Sequence, residues 1–531
     1  MRIYFYLLPI FIIEYFLFQR FVFSDIVSFY PTNFDQQSFL MQVYGTVNKI
    51  SHHGLWYGLT QGQLLPSGVL FPIQLTVFFT LFGATRFNGL LINFIYFIFL
   101  QTFFTASVKK ISGSNSIALL GLTFLLAVNV PFIIPGGITD LRIDFIAFCL
   151  YGMMLTSVIR SNIFLHRGWT FVSAFLAVIL ILMRTLSSLY IAGIGIILLL
   201  YFVILYFREA SENRKITLTR IQHLLLFSLI VALITLPIMW MFRVALYNYY
   251  VVGHVLGGEK FIRAALVGTT TFWKNIIFYP SALIFHTIGA ITVFYALLLL
   301  LLLRLTKPKK FKNFSVVLFF SFISFFVPLV ILMLDTSKSD VVATIMVTPL
   351  LWMLIIFLIK LRVEKWRYFN FLLFLTFCLA TVVQLKGYHP KLSAQKKAEL
   401  AIVENIHLTI GDYAIAHQWP AINLSVDQID DRFTSGTLTA LYFEKKHQFL
   451  RVNILPLGGM IFAISKPEAV KSLSKSNVAI FDLSKTPSNP GFPLNVSIDK
   501  MKPQLIRYLY THFHLLRVYQ IGDQKIGVFV K

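Results

Sequence analysis

Apolar residues along the first 390 positions of this 531-residue chain gather into long runs, of which Ile117–Ile134, Leu224–Trp240 and Val316–Leu334 contain no charged residue. A helix crossing a bilayer needs about 20 mainly apolar residues. The rhythm of these runs predicts about eleven such helices. After Leu385 the pattern changes to ordinary soluble usage. Residues 392–418 read as a helix with apolar positions Leu400, Val403, Ile406, Leu408 and Ile410. Short β-rich runs follow at Ala421–Val426, Ala440–Phe443, Val478–Leu483 and Leu515–Gln520, the last paired to Lys525–Val530 through Gly522–Asp523. Ser497 is expected to cap a helix from Ile498 to Phe513. The expected fold is mainly α: a polytopic transmembrane helix bundle over 1–387, with a small extracytoplasmic α/β domain over 388–531.

Composition agrees with the pattern. Hydrophobic residues make up 57% of the chain and charged residues 13%, against roughly a quarter charged in soluble chains, and the mean hydropathy is +0.76. The 55 phenylalanines suit lipid-facing surfaces and interfacial belts. A net charge of +24 raises nucleic acid as a partner. Its distribution excludes that reading, because the basic residues sit in short clusters at helix ends, where they set orientation. Cys149 and Cys378 both lie in apolar runs, so neither a disulfide framework nor a cysteine metal site is expected. The first run, Ile3 to Phe23, lacks a small-residue cleavage signal and reads as a retained helix.

Basic clusters at Lys109–Lys110, Arg160 with Arg167, Arg208 to Arg220, Arg304 to Lys312 and Lys360 to Arg367 are expected to face the cytoplasm. That leaves 24–85, 135–143, the turn near Arg184–Ser188, 247–275, 335–341 and everything after about 387 outside. Gly68–Gly83 is apolar enough to span, yet spanning there would invert every later cluster. It is expected to lie in or dip into the outer interface. The N-terminus is then cytoplasmic and the C-terminal domain extracytoplasmic, with a bacterial inner membrane as the expected location.

Ionisable residues near hydrocarbon are costly and persist where they act or pair, which narrows the candidates. In the first outer loop, 24–85, Asp35 opens an amphipathic helix marked by Phe34, Phe39, Leu40, Val43 and Tyr44. A carboxylate there also serves simply as a first-turn residue. In the second loop, Gly136 to Asp144 supplies Asp140, Arg142 and Asp144 before a helix. If that helix begins at Asp140, the two carboxylates share one face; an N-cap Asp140 with a first-turn Asp144 is the plainer reading. The loop 247–275 holds His254, Glu259, Lys260, Arg263, Trp273 and Lys274, with Arg243 before it and His286 after it. Arg243, Lys260, Arg263 and Arg184 form the basic pool for an anionic headgroup or phosphate; interfacial snorkelling is the bland reading of each. Adjacent His52 and His53 point about 100° apart on a helix and cannot chelate one ion. Glu14 in the first helix is expected to pair within the bundle. Asn423-Leu-Ser425 and Asn495-Val-Ser497 match glycosylation acceptors, a pattern common by chance.

This arrangement resembles the GT-C superfamily of polytopic membrane glycosyltransferases, of the mannosyltransferase, aminoarabinose-transferase and bacterial family 39 kind. There the first helix is followed by a long outer loop with an acidic motif near its start. A Gly/Pro-containing stretch and a Leu-Phe-Gly run then precede the next helix, as Pro66 through Leu81-Phe82-Gly83 does here. The family's acidic pair is often Asp-Glu; here it is Asp35-Gln36, so only the first carboxylate carries over. A second acidic element often stands in the next loop, where Asp140 and Asp144 lie.

The resemblance implies transfer of a sugar from a polyprenyl-phosphate donor to a lipid, glycan or protein acceptor. Phosphate leaves as an anion and needs a cation rather than a general acid. The acceptor hydroxyl needs a base, and an aspartate with a pKa of about 4 is ionised at neutral pH. Asp35, Asp140 and Asp144 are the catalytic candidates, with Asp35 as base or as ligand to a divalent cation such as Mg or Mn. Arg142, Arg184, Arg243, Lys260 and Arg263 are the substrate-binding candidates. A transporter or lipid flippase is the competing class, and a non-catalytic scaffold a third. Transporters often show inverted repeats and broken helices, neither of which is visible in this sequence.

Overall fold

The computed structural model describes residues 2–27, 34–60, 68–134, 136–256, 267–289, 315–335, 338–427, 433–457, 464–484 and 495–531, with isolated positions between 264 and 300. The chain separates into two compact units: Met1–Arg20 with Leu64–Phe71 and Leu90–His389, and Phe21–Gln63 with Pro72–Gly89 and Pro390–Lys531.

Among the described residues nine helices are long and apolar enough to cross a membrane. Of the eleven expected, one is the seventeen-residue helix Arg167–Met183, just short of that length, and most of 289–314 lies outside the described residues. The helix Leu70–Phe82 has 13 residues. At 1.5 Å per residue it is about 20 Å long, short of the hydrocarbon thickness of about 30 Å. Its length fits the interfacial placement expected for Gly68–Gly83.

Within the first unit, Ile143–Arg160 is the central helix, with 94% of its apolar window buried. A helix apolar on every side belongs in a core, and here small or polar residues fit the neighbours. Gly152 leaves room for Thr348 and Leu100, Tyr151 donates to the Ser324 carbonyl (2.6 Å) and Thr156 accepts from the Trp352 indole (2.9 Å). By contrast the Asn213–Met241 span is 22% buried, so most of its apolar surface is left for lipid. Glu14 finds the polar partner that the sequence left unnamed, accepting from the Gln101 amide at 2.8 Å.

The second unit centres on a five-stranded sheet in the order β2-β1-β3-β5-β4. β1 (Ile422–Val426), β2 (Val452–Ile454) and β3 (Val478–Asp482) run parallel, and β4 (His514–Ile521) and β5 (Gln524–Val530) add an antiparallel hairpin. Strand side chains alternate between faces. Val478 and Ile480 therefore pack with Val403, Ile406 and Ile410 of the helix Ala394–Ala416, while Ala479 and Phe481 pack with Leu473 and Leu505 of the helices on the other face. The result is a three-layer α/β sandwich.

Two local expectations are corrected. Ala440–Phe443 lies inside the helix Ser435–Lys446, capped by Thr434 accepting from the Thr437 amide; a four-residue apolar run cannot by itself be told from a buried helix segment. The last helix spans Asn495–His512, so Ser497 is inside it rather than at its cap. Asn423 stands in β1, between two neighbouring strands, which is no surface loop for glycosylation.

The same unit contains the amphipathic first-loop helix, Phe34–His53. Phe39, Leu40, Val43 and Tyr44 are buried as its pattern predicts. The Tyr44 ring stacks on Phe443 with centroids 4.8 Å apart, and Gly436 lies so close to Gln37 that a Cβ there would fall 2.7 Å from the Gln37 Cβ.

Candidate functional site

Three helix ends of the first unit bring polar side chains together. Asp144 stands in the first turn of Ile143–Arg160, where a carboxylate is favoured by the helix dipole. Arg184 stops the helix Arg167–Met183 by turning to extended backbone (φ −147°, ψ 99°). Ser187 then opens the helix Ser187–Arg208, its amide donating to the Arg184 carbonyl at 2.9 Å. The Arg184 guanidinium is ion-paired with the Asp144 carboxylate, and the Arg142 Nε lies 3.9 Å from the same group. All three side chains are largely buried, at 11%, 7% and 15% exposure for Arg184, Asp144 and Arg142. A charge pair so far from water is costly unless its geometry is held.

Asp140 does not share a helix face with Asp144, because the helix begins at Ile143 with Arg142 at its N-cap. Instead Asp140 folds its own loop. Its carboxylate accepts from the Gly136 amide, its amide donates to the Gly137 carbonyl (3.1 Å), and its carbonyl accepts from the Asn93 side chain (2.7 Å). Gly136 adopts φ +104° and packs against Val341, so only glycine fits. Gly68 presses on the backbone at the other side: a Cβ there would meet the Met183 carbonyl oxygen at 2.2 Å.

Just beyond Arg184 in the chain stand two groups that sequence reasoning missed. The Ser187 and Tyr190 side chains are each 1% exposed. Their hydroxyls have no hydrogen-bond partner among the described residues, and the charge of Arg184 reaches Tyr190. Buried polar atoms are nearly always paired. Two buried hydroxyls thus stand without a partner among the described residues in the turn and helix that follow Arg184.

Arg184 also acts on Tyr250 and Tyr279. Tyr279 is hydrogen-bonded to the backbone of Ser339, and the Lys338 ammonium sits 4.8 Å from its ring centre. Burial pushes the Lys338 ammonium down to about 8, with Asp335 opposing the shift. Lys338 donates to the carbonyls of Leu332 (2.7 Å) and Met333 (3.2 Å) at the end of the helix Ser315–Leu334. The signal that singled out the other basic residues, a cation in a segment assigned to the outer side, applied equally to Lys338.

No family model matches the chain, and no curated protein matches it. Solved structures do. ArnT from Cupriavidus metallidurans bound to undecaprenyl phosphate aligns over 98% of this chain and 97% of its own, at 13% identity and a TM-score of 0.55. The same enzyme in the apo state aligns over 92% of each chain at 12% identity and a TM-score of 0.51. The chain has the GT-C fold.

Within the GT-C fold the remaining sequence candidates fall differently. Asp35 belongs to the helix Phe34–His53, but its side chain lies outside the described residues, as do Lys260 and Arg263. Arg243 is exposed and spends its guanidinium locally, stacked 4.6 Å over the Trp240 ring and donating to the Trp240 carbonyl (2.9 Å). That is the geometry of an interfacial anchor. Among the described residues no three His, Cys, Asp or Glu side chains gather as metal ligands. Asp140 and Asp144, committed to an amide and a guanidinium, do not by themselves make a metal cradle.

Proposed function

We propose that the chain is a membrane glycosyltransferase that moves a sugar from a polyprenyl-phosphate donor to an extracytoplasmic lipid, glycan or protein acceptor. It works in a bacterial inner membrane with its N-terminus in the cytoplasm and its C-terminal domain outside. The observation that carries this reading is the pair of buried hydroxyls of Ser187 and Tyr190, without a hydrogen-bond partner among the described residues, just beyond the Asp144-held Arg184 in the chain. A phosphate supplies the acceptor oxygens that these donors lack, and a planar guanidinium matches it in two-point geometry.

In this reading Arg184 and Arg142 bind the donor phosphate and stabilise the charge that grows on it as the sugar leaves. Asp144 fixes the orientation of both arginines, and Asp140 shapes the loop that carries Arg142. Lys260 and Arg263 are proposed as further basic residues around the headgroup, and Asp35 as the carboxylate of the first outer loop. A carrier tail that stays in the bilayer explains why the reaction is housed in a many-span protein.

The test uses the full-length chain in lipid nanodiscs with undecaprenyl-phosphate sugars as donors and envelope membranes as the acceptor pool. Labelled sugar should enter the acceptor fraction, and Asp144→Asn should abolish that transfer while the protein still folds. Movement of undecaprenyl phosphate between leaflets without sugar transfer would replace this reading with a flippase.

A further inference from the structure

Transfer to a hydroxyl needs a group that takes its proton, and the described carboxylates of the Arg184 site are poorly suited. Protonating Asp144 would break its ion pair with Arg184, and protonating Asp140 would release the Gly136 amide. Elsewhere in the same unit the Nδ1 of His286 is hydrogen-bonded to the Asp340 carboxylate. A carboxylate only accepts, so Nδ1 carries the hydrogen and the neutral ring keeps its lone pair on Nε2. This is the arrangement in which an acidic partner fixes the tautomer of an imidazole base.

His286 and Asp340 line a cavity of about 250 Å³, together with Thr269, Lys274, Phe278 and Ser281. Thr269 is 8% exposed and its hydroxyl has no hydrogen-bond partner among the described residues. The wall therefore offers a cation, two hydroxyls, an aromatic face and the imidazole, a lining suited to a polar, hydroxyl-bearing group. The turn that starts at Asp340 packs on the helix Ile143–Arg160, which carries Asp144. Tyr279 stands on the helix Phe272–Ala282 that supplies Lys274, Phe278 and Ser281. It bonds to Ser339, the neighbour of Asp340, and it feels Arg184.

We propose that this cavity receives the acceptor and that His286 is the catalytic base, with Asp340 as its positioning residue. The proposal rests on the glycosyltransferase reading. The acceptor O–H gives its proton to Nε2 of His286, and the freed oxygen pair forms the bond to the anomeric carbon. The bond from that carbon to the phosphate oxygen breaks, and its electron pair leaves with the polyprenyl phosphate.

The experiment compares His286→Asn, Asp340→Asn, Thr269→Val and Asp35→Asn with the wild-type chain in nanodiscs. Transfer from undecaprenyl-phosphate sugar to envelope membranes is followed against pH, and undecaprenyl phosphate binding is measured separately. His286→Asn should lower kcat about 10²- to 10⁴-fold, with lipid binding unchanged and the acidic limb of the pH profile gone. Asp340→Asn should displace that limb with a smaller loss. Thr269→Val should raise the acceptor KM and leave kcat near wild type. Transfer by His286→Asn within twofold of wild type, with an unaltered profile, overturns the base assignment alone. So does loss of the acidic limb in Asp35→Asn but not in His286→Asn. A wild-type chain that binds undecaprenyl phosphate yet moves no sugar overturns the glycosyltransferase reading and this proposal with it.

Discussion

The Tyr44 hydroxyl donates to the Glu444 carboxylate at 2.8 Å, across 400 positions of sequence. Arg86, 2% exposed, pairs with the same carboxylate at 3.2 Å and donates to the Ile26 carbonyl at 3.1 Å. Asp25 adds a second tie by accepting from the Lys391 and Leu392 amides. First-loop residues and the C-terminal α/β sandwich thus form one structural unit, in which Glu444 pairs with a buried arginine.

Glu444→Ala should therefore cost about 3 kcal/mol or more, because it removes a carboxylate that faces a buried arginine. Tyr44→Phe removes one hydrogen bond and should cost about 1 kcal/mol. Thermal unfolding of the full-length protein in detergent checks the order. A Glu444→Ala loss no larger than that of Tyr44→Phe would mean that the pair carries little.

The Asp140 loop makes a sharper comparison between two glycines of positive φ. Gly136 (φ +104°) has Val341 within 2.4 Å of where a Cβ would stand, whereas Gly113 (φ +72°) has open space around it. Gly113→Ala should lose about 1 kcal/mol from backbone strain alone. Gly136→Ala should lose clearly more and reduce sugar transfer by displacing Arg142. Equal melting losses would show that the Val341 contact relaxes freely.

Ser187→Ala and Tyr190→Phe separate a ligand site from a structural flaw. Deleting a buried hydroxyl that has no partner should leave the melting temperature unchanged or raise it slightly. If these hydroxyls serve a phosphate, each deletion should also weaken undecaprenyl phosphate binding about tenfold, or about 1.4 kcal/mol. Lipid titration in nanodiscs reads the second effect, and unchanged affinity in both variants would remove the site's defining observation.

In the α/β sandwich, burial pushes the Asp427 carboxyl up to about 7, with Lys502 at 3.3 Å opposing the shift. A carboxyl whose value is raised on folding favours the folded state in its protonated form. That contribution is complete below the unfolded value near about 4 and is lost as pH rises through 7. The melting transition of this unit should fall between pH 5 and pH 8, and Asp427→Asn should flatten the slope. A slope unchanged by the substitution would assign the dependence elsewhere.

Much of this was legible in the sequence, for identifiable reasons. Spanning helices announce themselves because lipid demands long apolar runs, and the amphipathic helix after Phe34 follows from its buried Phe39, Leu40, Val43 and Tyr44. The β4–β5 hairpin was readable from alternation around Gly522, which turns at φ +55°. Ala440–Phe443 misled because its four apolar residues fit either a strand or a buried helix turn. The short strand β2 (Val452–Ile454) and the helix Lys466–Lys475 gave too little pattern to find. Asp144 and Arg184 each stood out singly, but their pairing is a tertiary fact. Ser187, Tyr190 and the His286–Asp340 pair carry no local signature, since an orphaned hydroxyl or an oriented imidazole exists only once the neighbours are in place.

The most direct test of the donor assignment is the affinity of the full-length chain for undecaprenyl phosphate in nanodiscs, compared with Arg184→Gln. Saturable binding by the wild type, weakened at least tenfold by Arg184→Gln in a protein that melts as a folded chain, is the expected result. Equal affinity of the two proteins, or no saturable binding by either, would contradict it.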